Sequence, residues 1–402
     1  MSSCSARTCR LRCTVILLEK VRASSPKAPH PTINVSDLDY DLPKDLIAQH
    51  PLPERAASRL LAVWRQTGRI EDRRFHDLPD LLSASDFLVL NDTRVFPARL
   101  FGILESGGQV EVLLLGPIQI SDPVTSGSRH ALHLQARRSE VNDTPSLIWE
   151  ALARPKRRLR PGSRLHFSPD LVGVVREPTS GTGREKVHIE FQVRGSFLDV
   201  LERTGHVPLP PYIRRDDATT DRERYQTVYA TATGSVAAAT AGLHFTREIL
   251  DQLAGRGVGS CFVTLHVGYG TFRPIAAETV ECHRVDSERL EVSPPASAAI
   301  RDAVAKRKRL IAVGTTSTRA LESWIQASPG LTAFAGETDL CIYPPFQFKL
   351  VGGLLTNFHL PRSSLLALVC AFLGVDLARA CYDHAIRQGY RFYSYGDCML
   401  IL

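Results

Sequence analysis

The sequence predicts an α/β domain, a mixed sheet with flanking helices, interrupted by an inserted small β-barrel domain. Three observations lead to that class. Apolar runs at 261–267, 309–313 and 352–355 each give way to a small polar turn and then to a helix or a close turn, as βα junctions of an open sheet do. Between about 95 and 193 the pattern changes to short β-like runs separated by turns rich in Gly, Pro, Ser and Asp, with helical periodicity nearly absent; such a stretch forms a small barrel or sandwich. The chain has 402 residues, 44% hydrophobic and 23% charged, enough apolar material for two domains. The expected division is a disordered leader over 1–33, a discontinuous α/β domain over 34–94 and 196–402, and the barrel over 95–195.

The formal net charge of +7 admits an acidic partner such as nucleic acid without requiring one. Nine scattered cysteines with no CxxC pair point to a reducing, cytoplasmic setting and away from a disulfide framework or a structural zinc site. No segment approaches the roughly 18 apolar residues of a membrane span, so no membrane partner is expected. The longest apolar run, 365–373, reads as a buried core helix.

Residues 1–33 are basic, with Glu19 their single acidic residue, and their apolar patch at 14–18 is too short for a signal-peptide h-region. They read as a disordered leader or an over-extended start. A short helix is expected over 45–49, then a hairpin of 60–64 and 70–75 around Thr67-Gly68, then a strand at 87–90. Strands of the insert are expected at 98–104, 110–115, 131–136, 147–152, 164–167, 172–175 and 187–193. Among them lies the basic run RPKRRLRPG (154–162), either a solvated loop or a phosphate contact through Lys156, Arg157 and Arg158. A helix over 197–204 closes at Gly205, and the stiff segment PLPPYIRR (208–215) ends in Arg214 and Arg215. DRERYQTVY (221–229) offers Tyr225 for stacking on an RNA loop, or packs its tyrosines from a surface helix. A helix with Thr246 at its N-cap carries Ile249, Leu250 and Leu253 along one face and closes at Gly255 and Gly257. Beyond the strand at 261–267, strands are expected at 289–292, 309–313, 339–343, 352–355 and around 391–397, with helices at 296–306, from 363, and at 377–388.

The polar turns carry the candidate chemistry. GYGT (268–271) lets backbone amides approach a ligand, and Gly268 and Gly270 supply the room. Thr315, Thr316 and Ser317 line a helix start that favours anions, where capping alone needs one hydroxyl. Asn357 and His359 occupy the third turn, and His244 and His266 flank the helix–strand unit between them. No metal-ligand spacing, Walker loop or G-x-S-x-G elbow is present, so no metal is expected.

Eight motifs in order complete the reading: LNDTRVFPARL (90–100), PLPPYIRR (208–215), DRERYQTVYA (221–230), TAGLHFT (240–246), FVTLHVGYGTF (262–272), VGTTSTRALE (313–322), TNFHLPRSSLL (356–366) and YRFYSYGD (390–397). Together they closely resemble the S-adenosylmethionine:tRNA ribosyltransferase-isomerase family of the queuosine pathway, over essentially all of residues 36–402. The resemblance implies an α/β domain with a β-barrel insert, in agreement with the reading above. It also implies transfer of the ribosyl part of S-adenosylmethionine onto the aminomethyl group of preQ1, a deazaguanine at the tRNA wobble position. The ribose rearranges to an epoxycyclopentanediol, giving epoxyqueuosine and releasing adenine and methionine. S-adenosylmethionine is then a consumed substrate, no cofactor is needed, and the partner is a tRNA carrying preQ1, bound by a monomer or weak homodimer.

On that chemistry, His244 or His266 serves as general acid or base, with Asp397 or Glu288 as orienter. Thr240, Gly242, Gly268, Gly270, Thr315, Thr316, Ser317, Asn357 and His359 surround the substrate, with the methionine carboxylate on the 315–318 turn. Arg94, Lys156, Arg157, Arg158, Arg214, Arg215 and Tyr225 face the tRNA. Ala239 stands where the family pattern has proline, Asp286 where a second histidine is usual, and Pro345 where glycine is expected, so neither His283 nor Asp286 is assigned to catalysis. Two other readings make different products. A non-catalytic RNA-binding protein releases no adenine, and a methyltransferase yields S-adenosylhomocysteine.

Overall fold

The computed structural model describes residues 33–118, 147–177 and 186–402. The expected leader, apart from Ile33, and the expected strand at 131–136 lie outside the described residues. The described chain opens with a hairpin of β1 (Arg59–Trp64) and β2 (Arg69–Arg74), a helical turn α1 (Leu78–Leu81), and strands β3 (Asp86–Asn91) and β4 (Thr93–Val95). It then builds β5 (Arg99–Leu104), β6 (Gln109–Pro117), β7 (Leu147–Arg154), β8 (Arg164–Ser168), β9 (Leu171–Arg176) and β10 (Lys186–Val193), which close into an antiparallel barrel in the order β10-β7-β6-β5-β8-β9. Along β6 and β9 burial alternates residue by residue, so Val110, Val112 and Leu114 fill the barrel while Glu111 faces outward. Helix α2 (Phe197–Thr204), capped by Ser196, adds Phe197, Val200 and Leu201 to that core.

After the barrel come α3 (Asp221–Arg224), β11 (Ala232–Ser235), α4 (Arg247–Gly255), β12 (Gly259–Leu265), β13 (Glu288–Val292), α5 (Pro294–Ala305), β14 (Arg309–Val313) and α6 (Gly314–Ala327). The chain continues with β15 (Phe334–Thr338), β16 (Val351–Asn357), α7 (Ser364–Leu373), α8 (Val375–Arg387) and β17 (Cys398–Ile401). Nine strands form one mixed sheet, β15-β13-β12-β3-β14-β16-β17-β1-β2. Its centre, β12, β3, β14 and β16, is parallel. Every residue of β3 is buried, as expected of a central strand covered on both faces. The outer strand β2, RIEDRR, presents charge along the sheet edge, which discourages pairing with another chain.

Local signals explain the elements that match expectation. Thr246 accepts from the Ile249 amide at the start of α4, and Ser363 from Leu366 at the start of α7. Gly374, with φ of 84°, separates α7 from α8, which bend by 114°. No single helix among the described residues is long and apolar enough to cross a membrane.

Three expected elements differ. Residues 45–49 make only a 3₁₀ turn, Lys44–Leu46, before Ile47 bridges to Phe392; a segment enclosed by Pro43 and Pro51 is too short to nucleate a helix. The strand expected at 339–343 lies earlier, at β15, because Thr338 Oγ1 takes the Leu340 amide and Arg319 takes the Leu340 carbonyl, withdrawing both groups from a ladder. The final strand is β17 and not 391–397. There the Gly396 amide turns back to Tyr393 O, Tyr393 has φ of 72°, and its ring packs 4.6 Å from Tyr212. The aromatic residues that resembled a strand are packing a loop.

Candidate active site

Because β12, β3, β14 and β16 run in parallel, their carboxyl ends open on one side of the sheet, where ligands of open α/β sheets sit. A hollow of about 380 Å³ lies there, lined by Thr240, Thr315, Thr316, Thr356, Asn357 and His359 among others. Five of the residues expected around the substrate thus share one wall. The hydroxyls of the helix start divide in two directions. Ser317 Oγ donates to Val313 O at 2.8 Å and Thr318 Oγ1 to Gly314 O at 3.1 Å, so these two serve α6 itself. Thr316 Oγ1 and Asn357 Oδ1 are buried with no partner among the described residues. Buried polar atoms left unmatched cost free energy, which a ligand's hydrogen bonds would recover.

His244 is buried and held at both ring nitrogens, 2.6 Å from Ser58 Oγ through Nδ1 and 3.2 Å from Asn357 Nδ2 through Nε2. Asn357 Nδ2 also donates to Asp397 O, and Ser58 Oγ donates to Arg55 O, which assigns the proton to Nδ1 and leaves Nε2 as the acceptor. Burial, followed by the charges of Arg55 and Arg391, pushes its pKa down to about 3. His359 is likewise pushed to about 3 by burial, with Nε2 2.7 Å from Thr356 Oγ1. His266 follows the end of β12. Its Nδ1 lies 2.8 Å from Thr93 Oγ1, its Nε2 has no partner among the described residues, and burial, then Arg289, lowers its pKa to about 4. The next residue, Val267, lines the hollow; His266 does not. All three imidazoles are therefore neutral at pH 7.

Neither expected orienting carboxylate touches an imidazole. Asp397 accepts from the Arg59 amide at 2.8 Å and the Arg391 amide at 2.7 Å, and burial raises its pKa. Glu288 accepts from the Gly268 amide at 2.8 Å and Thr271 Oγ1 at 3.1 Å and pairs with Arg319 Nη1. The groups that orient the histidines are Ser58 and Thr93, far from them in sequence. The glycines also have a different use from the one expected. A Cβ on Gly242 would lie 2.2 Å from Tyr229 Oη, and one on Gly270 2.8 Å from Asp286 Oδ2, so both admit protein side chains; the Gly268 amide is spent on Glu288. Among the described residues no cluster of His, Cys, Asp and Glu could hold a metal ion.

Residues 35–401 match the family described as queuosine biosynthesis protein. The chain belongs to that family. It is 47% identical over 372 residues to the S-adenosylmethionine:tRNA ribosyltransferase-isomerase of Halothermothrix orenii, covering 92% of this chain and 100% of the relative. The protein of the same name from Azoarcus sp. is 48% identical, with 92% and 98% covered. The solved S-adenosylmethionine tRNA ribosyltransferase of Thermotoga maritima is 33% identical and covers 91% of this chain and 100% of its own, with a TM-score of 0.49.

In this queuosine-family protein the residues expected to face tRNA divide by exposure. Arg94, Arg157, Arg158 and Arg214 are exposed, and Lys156 is half-buried with Nζ on Lys186 O. Arg214 and Arg215 line a cleft of about 1200 Å³ between the barrel, represented by Arg99, Glu111 and Arg154, and the 208–215 segment; Tyr269 of the loop after β12 also lines it. Arg215 is already engaged by both oxygens of the buried Asp221. Tyr225 is fully buried, its ring 5.9 Å from Tyr395, so it packs the protein and is closed to a base.

Proposed function

We propose that this chain transfers the ribosyl group of S-adenosylmethionine to preQ1 in a tRNA anticodon and isomerises it, releasing adenine and methionine. Family membership over 35–401 supports the reaction, and one observation supports the choice of site: the uncharged hollow at the parallel strand ends, with Thr316 Oγ1 and Asn357 Oδ1 unmatched among the described residues. Neutral hydroxyl, amide and imidazole groups suit the nucleoside half of the substrate, whose hydroxyls and ring nitrogens are also uncharged.

The sulfonium acidifies the adjacent C5′ hydrogens, so a neutral base forms an ylide. The departing adenine then requires a proton. The neutral imidazole is the form able to take the C5′ proton, and an imidazolium with a pKa near 4 gives it up readily to the departing adenine. His266, one residue before Val267 of the hollow's wall and with Nε2 unpartnered among the described residues, is the proposed proton carrier, and His244, held at both nitrogens, positions Asn357. The tRNA is placed in the 1200 Å³ cleft, where Arg214 offers phosphate contact and Tyr269 a stacking surface beside the catalytic loop. The proposed setting is the cytoplasm. The chain acts as a monomer or weak homodimer, with no cofactor beyond the consumed substrate.

The test is a product analysis. With labelled S-adenosylmethionine and preQ1-containing tRNA, adenine and methionine appear together with a modified tRNA, and His266→Ala abolishes them while tRNA binding persists. S-adenosylhomocysteine as product, or wild-type turnover in the variant, overturns the respective part.

A further inference from the structure

A second hollow, of about 420 Å³, adjoins the uncharged one, with Thr271 and Leu365 lining both. Its chemistry is different. Arg319 and Glu288, 7% and 5% exposed, form a buried ion pair at its wall, and Asp286 stands at its exposed rim. Leu340, Ile342 and Leu368 supply apolar surface. The guanidinium is incompletely satisfied: Nε donates to Leu340 O at 2.8 Å, Nη1 to Glu288, and buried Nη2 to nothing among the described residues. A buried guanidinium N–H without an acceptor carries the desolvation cost of a charged donor, and it is best met by a carboxylate.

We infer that this hollow holds the amino-acid half of S-adenosylmethionine, with the α-carboxylate on Arg319 Nη2, the side-chain methylenes against the apolar wall and the α-ammonium towards Asp286. The assignment rests on the proposed use of S-adenosylmethionine and deepens it. A zwitterion with an apolar side chain needs both signs of charge and an apolar wall. This hollow has all of these, whereas its neighbour has only uncharged groups. It replaces the expectation that the carboxylate sits on the 315–318 turn, where two of the hydroxyls are turned back into α6. Glu288 thereby connects the two halves. It anchors the Gly268 amide and Thr271 of the shared wall while holding Arg319 in place.

Two thioether nucleosides, S-adenosylhomocysteine and 5′-methylthioadenosine, differ in possessing or lacking the amino acid and make the probe pair. By calorimetry the wild type should bind the former about tenfold to a hundredfold more tightly, the range of a charge-assisted hydrogen bond. Arg319→Met should erase that ratio and leave 5′-methylthioadenosine affinity unchanged. Since Arg319→Met leaves Glu288 buried and unpaired, the double variant Arg319→Met/Glu288→Gln provides the same reading without a stranded charge. Equal wild-type affinities, or a preference retained in the variants, overturns the assignment while leaving the nucleoside reading standing. Failure of the wild type to bind either probe removes the S-adenosylmethionine reading itself.

Discussion

The two β systems of this molecule put their polar groups in opposite places. The barrel is apolar within, filled by Val110, Val112, Leu114, Trp149, Ile189 and Phe191, and carries Arg157, Arg158 and Arg160 on the exposed turn between β7 and β8. The open sheet buries its polar groups at its carboxyl edge, where Ser58, Asn91, Thr93, His244, Thr356, Asn357 and His359 hydrogen-bond one another, His266 or the backbone. This small antiparallel barrel is filled by its own side chains, whereas parallel strands connected by helices open a crevice at their carboxyl ends. Charge at the surface serves long-range attraction. Neutral polarity in a dry crevice serves recognition of a specific small molecule, because each unmatched atom there is expensive.

Acid should break this contrast first. His244 and His359 have folded pKa values of about 3, below the 6.5 of an ordinary histidine. The unfolded chain therefore takes up protons below pH 6.5 that the folded chain refuses. Their contribution is complete above about pH 6.5 and drains away as the pH falls towards 3, on the order of several kcal/mol. Melting temperature should fall across that window, and hydrogen exchange at pH 4 should show protection lost at the sheet's carboxyl edge before the barrel. A barrel that loosens first would contradict the assignment of both histidines as neutral and buried. Next in size is Asn357→Ala, which removes the group connecting His244 to the hollow. Adenine release should drop about 10²- to 10³-fold with tRNA affinity retained. Smallest is the pair Arg157→Ala/Arg158→Ala. Here tRNA affinity should drop about tenfold and its salt slope lessen by about 1–2, with S-adenosylhomocysteine binding untouched. An unchanged salt slope would make that turn a solvated loop.

What could be read beforehand was what neighbours in sequence determine. Thr246 caps α4, α7 begins beside Ser363, the stripe of α4 and the short apolar runs of β6 and β9 lie within a few residues, and each was legible. The polar turns were legible too, because an unusual density of Thr, Ser, Asn and His at strand ends is a local property. Pairings across the fold were not. Nothing near Ser58 marks it as the partner of His244, 186 residues away. Tyr225 looked available for stacking because exposure depends on tertiary packing, and Tyr395 covers it. Arg319 and Glu322, one and four positions beyond Thr318, carry no local mark of their role. Glu322 is in fact fully buried, receiving the amides of Lys349, Leu350 and Val351. Only the charged pair's place on the inward stripe of α6 could have marked them.

The sheet order has a consequence for how this protein is made. Among the described strands the hairpin of β1 and β2 is made first, yet it joins the sheet only through β17, the last of them. At roughly 5–20 residues per second, the nascent hairpin waits for tens of seconds with Leu60, Leu61 and Val63 lacking their parallel neighbour. Those aliphatic positions are natural landing points for a holdase chaperone during synthesis, and a ribosome stalled before residue 398 would release a sheet that has been started at both ends and never joined.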